Sequence, residues 1–383
     1  QSGLSSTRFF LPGTAPVALR EAKQNTLHVN TLQAQLALVR NLPAYYLTNE
    51  LSLAASQDAQ TGLVERSSAP LLVQQQARNP HYALTNRLAL VRPLSETALL
   101  QVASLLSGSR SPQRLDVTPG VFATPLRPEE LPFAQTRQQA TLAGLFMHHS
   151  LTLLTRRSRW NYSLAAGVRQ HWQQLTSDLQ TLPLAEPTTN LPSLRNALHW
   201  RSGKVYIEPG LVYRTPLTTL QVNLPLSYWH LEATDAGLHV GQRSRRPIIE
   251  PSLNARRELG RRWHATASAD VNYYFADAQQ LNYAYLLRDY RTLQLNAAPL
   301  NQVQYWNTAT GLYYEDPLST WFYQLTYAYG QATSNLLYRQ EVQPSGALAT
   351  EALAQTNRQT THTLATQASR FIRPARTTLT VQL

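Results

Sequence analysis

Trp160, Tyr162, Leu164, Ala166, Val168, Gln170 and Trp172 share one parity of a single stretch, while Asn161, Ser163, Arg169 and His171 fall on the other. Successive side chains of a β-strand point to opposite faces, so the pattern predicts a strand with one apolar and one wet face. The run is about twice the usual strand length and carries tryptophan at both ends, which a strand of a soluble sheet has no reason to do. At roughly 3.3 Å per residue and a tilt near 45°, the two tryptophans stand about 28 Å apart along a barrel axis. That is close to the apolar band of an outer-membrane barrel, with an aromatic girdle at each water interface.

A second stretch repeats the design. Trp263, Ala265, Ala267, Ala269, Val271, Tyr273 and Phe275 alternate with His264, Thr266, Ser268, Asp270 and Asn272. The competing explanation is an amphipathic strand of a soluble sandwich or propeller, whose buried face is also apolar. Length, terminal aromatics and small residues at the strand centre argue against it, because a sandwich core wants large side chains there. Charged residues make up only 15% of the 383, mean hydropathy is −0.32, and no apolar run is long enough for a membrane helix. Low charge without such helices fits a barrel, whose lipid-facing residues are diluted one-to-one by polar interior ones. There is no cysteine, which removes disulfides, thiolate metal sites and cysteine catalysis.

Turn chemistry orders the strands. Proline, glycine and polar residues mark short connections at Asn41-Leu42-Pro43, Pro93-Leu94-Ser95, Arg157-Ser158, Thr215-Pro216, Glu258-Leu259-Gly260, Glu315-Asp316-Pro317 and Arg373-Pro374-Ala375. Between them lie long polar segments, 57–79, 108–139, 176–201, 231–246, 277–299 and 331–356, each expected to be a loop. Fourteen strands follow: 26–40, 44–56, 80–92, 96–107, 140–155, 159–175, 202–214, 217–230, 247–257, 262–276, 300–314, 318–330, 357–372 and a shorter 376–383. An extra hairpin at Ser202-Gly203 is the alternative that would break the alternation of short and long connections. The expected fold is all-β, an antiparallel transmembrane barrel segment with tight periplasmic turns and extended outer loops. Asn49 and Asn86 resist it, since they share parity with lipid-facing leucines and an amide in hydrocarbon is costly unless paired.

Net charge is +12, yet the basic residues form no single stripe of the kind that binds nucleic acid. Arg40, Arg92, Arg156, Arg157, Arg159, Arg214, Arg256, Arg257, Arg261, Arg262, Arg373 and Arg376 recur at the tight turns. They would meet anionic headgroups if the turns share one side of a membrane, or they merely solvate strand ends. Gln1 is no initiator, and Leu379, Val381 and Leu383 end the sequence inside an alternating stretch. An isolated half-barrel would leave two unpaired edges in lipid, so residues 1–383 are expected to be part of a longer barrel domain.

With these strands in hand, the chain resembles the barrel region of TonB-dependent outer-membrane receptors, in the branch carrying a carboxypeptidase-regulatory-like domain ahead of its plug. The residues that carry the resemblance are Pro209-Gly210-Leu211-x-Tyr213, Leu224-Pro225-Leu226-x-Tyr228, Pro251-Ser252-Leu253-x-Ala255-Arg256, Asp289-Tyr290-Arg291-x-Leu293, Gly311-Leu312-x-Tyr314-x-Asp316-Pro317-Leu318 and Asn335-Leu336-Leu337-Tyr338. Their order and spacing over residues 140 to 383 make the case, since none is specific alone. The resemblance implies a barrel of 22 strands closed by a plug, importing scarce nutrients with energy delivered by the TonB complex, and a surface lipoprotein as a further partner. These residues contain neither plug nor TonB box.

No nucleophile-elbow serine, His-Glu-x-x-His, phosphate loop or dinucleotide fingerprint is present, so no catalytic, cofactor or metal site is expected. His148-His149 cannot clamp a metal within one strand, because adjacent residues face opposite ways. Parity places Glu50, Arg87, Arg169, Glu208, Glu250, Arg256 and Asp270 in the interior, where they would pair across strands, hold a plug or set ion preference. Tyr283, Tyr285 and Tyr290 are candidate ligand contacts in an outer loop, where rings stack on sugars or flat groups, or else they extend the girdle. Three functions compete: part of an energy-coupled importer, a passive porin, and a soluble all-β binding protein.

Overall fold

A computed structural model describes residues 2–9, 17–66, 71–120, 134–182, 194–297, 299–342 and 348–383. Its strands are β1 (Ser2–Phe9), β2 (Val17–Leu42), β3 (Tyr45–Arg66), β4 (Leu71–Ser95), β5 (Ala98–Thr118), β6 (Gln135–Arg157), β7 (Trp160–Leu182), β8 (Arg195–Arg214), β9 (Thr218–Asn223), β10 (Leu226–Asp235), β11 (Val240–Ile249), β12 (Ser252–Glu258), β13 (Trp263–Phe275), β14 (Asn282–Asp289), β15 (Thr292–Asn296), β16 (Gln302–Asp316), β17 (Trp321–Ser334), β18 (Leu337–Val342), β19 (Leu348–Leu353), β20 (Asn357–Ile372) and β21 (Thr377–Gln382). Seventeen of them form one antiparallel sheet and four form a second, small one.

The large sheet is a meander in which each traverse pairs antiparallel with the next one, the two small-sheet segments being inserted between β13 and β16 and between β17 and β20. β9 with β10, and β11 with β12, are the two halves of single traverses, so the seventeen strands make fifteen traverses: the fourteen expected ones and β1, an edge strand paired with the start of β2 where no strand was expected. Both breaks fall at X-Pro, at Leu224-Pro225 and Glu250-Pro251, because proline has no amide to donate to a ladder. Leu224 N donates to Pro209 O, Glu250 N to Pro225 O and Val271 N to Pro251 O, at 3.0–3.1 Å. Three motifs scattered over more than forty residues therefore form one staircase across neighbouring strands. Among the described residues no ladder joins β21 to β1 or β2, and the sheet is open there.

Strand length is the first correction. β3 to β8 run 20–25 residues, and most of the expected loops at 57–79, 108–139 and 176–201 are ladder. Positions 67–70, 121–133, 183–193 and 343–347 of those expected loops lie outside the described residues. The alternation of apolar and polar side chains marks only the part of a strand with an apolar exposed face, whereas hydrogen bonding continues wherever the backbone stays extended. β8 passes through Ser202-Gly203 without a hairpin. The expected loop 231–246 closes in four residues, Ala236 to His239, so short and long connections do not alternate there. Asp235 shapes that turn, its Oδ1 accepting from Gly237 N and Leu238 N at 2.9 and 3.1 Å.

The tight turns gather at one end of the wall, each beside an aromatic pair or an arginine. Trp160 stands 4.5 Å from Tyr213, Trp263 4.9 Å from Tyr314, and Tyr314 5.6 Å from Tyr323, all centroid to centroid. Arg262 reaches Asp316 of the next turn at 3.3 Å, and Arg373 donates to Leu318 O. Asn86 Nδ2 donates to Asn49 Oδ1 at 2.8 Å across the β3–β4 ladder, so each amide that shares the leucine face satisfies the other.

Above the apolar band the parity of apolar residues inverts. On β7 the exposed set is Trp160, Tyr162 and Leu164, but Leu175 and Leu179, of opposite parity, are buried. Val64, Val73, Leu115, Val117, Leu198, Trp200, Trp229 and Leu231 are likewise buried. They are covered by β14, β15 and the residues beside them; with β18 and β19 these two strands make up the small sheet, which occupies segments expected to be loops at 277–299 and 331–356. β15 pairs antiparallel with β14 and parallel with β19. This contact defines the inner face of the wall. The upper end of β13 also departs from its expected parity, with Val271 only 7% exposed, Phe275 4.8 Å from Trp229, and Tyr273 and Phe275 packed against the buried cluster.

Candidate functional site on the inner face

Register puts all seven expected interior charges on the face covered by the small sheet. Glu50 and Arg87 are directly opposite on β3 and β4, 3.7 Å apart and partly exposed, an arrangement worth about 0.2–1 kcal/mol. Arg256 pairs with Glu258 at 3.0 Å. Asp270 accepts from Asn307 at 3.0 Å and from Asn272. Glu208 lies opposite Ala165.

The remaining two charges belong to a cluster on β6, β7, β8 and the β10–β12 segment. Lys204 Nζ is 2.6 Å from Glu250 Oε2 and 5.0 Å from the centre of the Trp229 ring. The side chains of this pair are only 16% and 13% exposed. Arg169 lies over Phe146 at 5.0 Å, and His148 shares a 2.8 Å hydrogen bond with the Tyr206 hydroxyl. His171 meets Phe146 and Trp200 edge to face. Sequence parity finds Arg169 and Glu250 but not Lys204, whose partner lies 46 residues away on another strand.

Above this cluster a row of wall amides holds segment 278–300 by its backbone. Gln173 Oε1 accepts from Ala278 N (2.9 Å), Asn196 Oδ1 from Ala284 N (2.8 Å), Gln138 Oε1 from Leu287 N (3.0 Å), Gln75 Oε1 from Tyr290 N (2.9 Å) and Gln242 Oε1 from Leu300 N (2.7 Å). Neutral side-chain acceptors thus satisfy backbone donors that the packing removes from water. The segment is an internal strap, fixed by these bonds and by Leu281, Leu287 and Leu293 packed on the wall.

Tyr283 and Tyr290 are 6% and 8% exposed, and Tyr285 packs on the same core, so these rings face protein instead of a free loop surface or the girdle. They are in place to form the strap's packing because their segment turns inward. Burial, with the Asp235 charge adding to it, pushes the Tyr283 hydroxyl up to about 12. The Tyr290 hydroxyl donates to Glu21 Oε2 at 2.9 Å, and Lys23 and Arg291 stand 3.2 and 3.5 Å from that carboxylate. Burial alone would raise the Glu21 carboxyl, but the hydrogen bonds from Tyr290 and Lys23 and the two positive charges hold it below its ordinary value. A lowered carboxyl contributes stability above its unfolded-state value, and that stability is lost as pH falls through the folded one. Backbone-amide protection at Tyr290 and Arg291, measured by hydrogen exchange, is therefore expected to be flat near neutrality and to fall below about pH 4, and Glu21→Gln should remove the pH dependence.

No family model matches this sequence, and neither does any curated protein. Among solved structures the fold is similar to the copper transporter OprC, with a TM-score of 0.54 at 12% identity over 96% of this chain and 58% of that one. It is also similar to the ferric citrate transporter FecA in its unliganded form, with a TM-score of 0.50 at 8% identity over 98% of this chain and 56% of that one. The fold class is thus all-β, a large antiparallel sheet similar to the sheets of these two structures. This chain spans a little over half the length of the two transporters it matches.

Proposed function

We propose that residues 1–383 are barrel wall of an outer-membrane importer of the TonB-dependent type, in the branch with a carboxypeptidase-regulatory-like leading domain, the plug and N-terminal domains being supplied elsewhere in the protein. The protein resides in the bacterial outer membrane and performs no bond chemistry. The observation that carries this is the inner face: a row of charged side chains, among them the Glu50–Arg87 and Lys204–Glu250 pairs, with a strap docked above them. A passive porin needs a wide aqueous path, whereas this face carries a built-in cover. In this reading the Lys204–Glu250 cluster and Glu208 face the plug, energy enters through the TonB complex, and a surface lipoprotein collaborates at the long-loop end. Tyr283, Tyr285 and Tyr290 act in ligand capture only through the strap they anchor.

Single-channel recording on the full-length protein in planar bilayers separates the readings. An importer closed by its plug is expected to give no steady ion conductance, while stepwise conductance at rest would favour the porin. Recovery of folded protein from water without detergent would instead establish a soluble binding protein.

A further inference from the structure

Asn196, Gln138 and Gln75 stand on β8, β6 and β4, and their side-chain oxygens accept from Ala284 N, Leu287 N and Tyr290 N. Every second wall strand therefore holds every third residue of the strap. Two strand spacings are about 9.6 Å and three extended residues about 10 Å, so carboxamides on this wall are spaced to grip an extended backbone that crosses it. The recognition is of main chain and uses no charge.

Just below the strap the array continues with carboxamides that are not committed to it. Gln60, Ala77, Leu115 and Gln138 form one lateral row of the inner face, each directly opposite the next. Asn79 and Gln113 follow two residues on from Ala77 and two back from Leu115, on the same face of neighbouring strands. The side chains of Gln60, Asn79, Gln113 and Gln279 make no hydrogen bond to another described residue. All four line one cavity of about 260 Å³ between wall and strap, whose apolar side is formed by Leu115, Leu142, Leu175, Leu286 and Leu287. The two arginines at its border are engaged: Arg288 donates to Gln279 O and Gln294 Oε1 at 2.6 and 2.8 Å, and Arg114 to Asp116 at 2.7 Å. Asp58, directly opposite Asn79, has its Oδ1 shut off from water with no donor among the described residues. Neutral amides and an orphan acceptor beside an apolar floor suit the groups of a peptide backbone and one aliphatic side chain.

We propose that this cavity binds an extended, uncharged stretch of peptide beside the strap, its backbone bonded by Gln60, Asn79, Gln113 and Gln279 and one aliphatic side chain laid on the leucines. Main-chain bonds supply the affinity and the apolar floor selects the side chain. The proposal rests on the importer reading and names peptides as the class of nutrient carried. The test uses the full-length protein in detergent and two probes, acetyl-Ala-Leu-Ala amide and its depsipeptide, in which an ester replaces the leucine N–H. Isothermal titration calorimetry is expected to show the amide probe binding about tenfold more tightly, the effect of one hydrogen bond. Asn79→Leu/Gln113→Met should bring the two probes to equal affinity, while Gln101→Met, on the same face near the short turns, should leave the ratio intact. Hydrogen exchange at Leu287 and Tyr290 checks that the strap stays docked in each variant. Equal affinity for the two probes in the wild type would overturn backbone recognition, as would absence of binding by either. An unchanged ratio in the double variant would overturn this cavity as the site. Gln113→benzoylphenylalanine cross-linking to the protein's own chain in place of the added probe would overturn a free peptide as the occupant. The expected binding pattern together with steady conductance at rest would sink the importer reading and leave the cavity in place.

Discussion

Lys204→Met is expected to destabilise the folded protein by about 3–5 kcal/mol, because it strips the partner from a carboxylate that has little water to fall back on. Glu250 is 13% exposed at its side chain, its Oε2 is 2.6 Å from Lys204, and its other oxygen accepts only a long 3.4 Å bond from Tyr273 N. Trp229 on the far side of Lys204 offers an aromatic face to a cation and nothing to an anion. Urea unfolding of protein refolded into lipid vesicles measures the change. The double variant Lys204→Met/Glu250→Leu should recover most of the loss, since removing both charges leaves neither one buried and unpaired. A double variant as unstable as the single one would mean that Lys204 acts through packing on Trp229 and Tyr206 and not through Glu250.

Leu164→Arg should cost about 2–4 kcal/mol in the same vesicles, the penalty for a cation at mid-depth on the lipid side of a barrel strand. Leu164 is 46% exposed near the middle of the Trp160-to-Trp172 run. The control is one residue away. Ala165 faces inward, opposite Glu208, so Ala165→Arg meets a carboxylate instead of acyl chains and should cost less than about 1 kcal/mol. Equal penalties at the two positions would remove the assignment of faces. If the loss at Leu164 vanished in detergent-free water, the face would not contact lipid at all.

Fourteen of the traverses were legible because apolar and polar surroundings on opposite faces impose a period of two on any extended segment that separates them, and the tight-turn residues punctuate it. Seven short turns, fourteen of the fifteen traverses and the shared parity of Glu50, Arg87, Arg169, Glu208, Arg256 and Asp270 follow from that rule, whereas β1 lies where no strand was expected. The rule stops where the apolar band ends, which is why β3 to β8 continue well past their expected ends. A signal for the continuation is present: the apolar parity of β7 changes from Trp160, Tyr162 and Leu164 to Leu175 and Leu179, and that of β8 from Tyr213, Leu211 and Ile207 to Trp200 and Leu198. Each inversion marks where an exposed apolar face gives way to a protein cover on the opposite face.

What covers that face was not legible. Tyr290 N and Gln75 are 215 residues apart, and Leu287 N and Gln138 are 149 apart. Nothing local distinguishes these glutamines from others in the same polar stretches, since their role depends on which backbone amide the fold delivers to them. By itself the sequence determined the period, the turns and the face each side chain takes, because these are set by immediate neighbours and by the solvent on either side. Only the tertiary structure decided that residues 278–300 fold inward as a strap, that Asn49 and Asn86 satisfy one another, and that Lys204 neutralises Glu250, because each requires groups distant in sequence to meet at hydrogen-bonding distance.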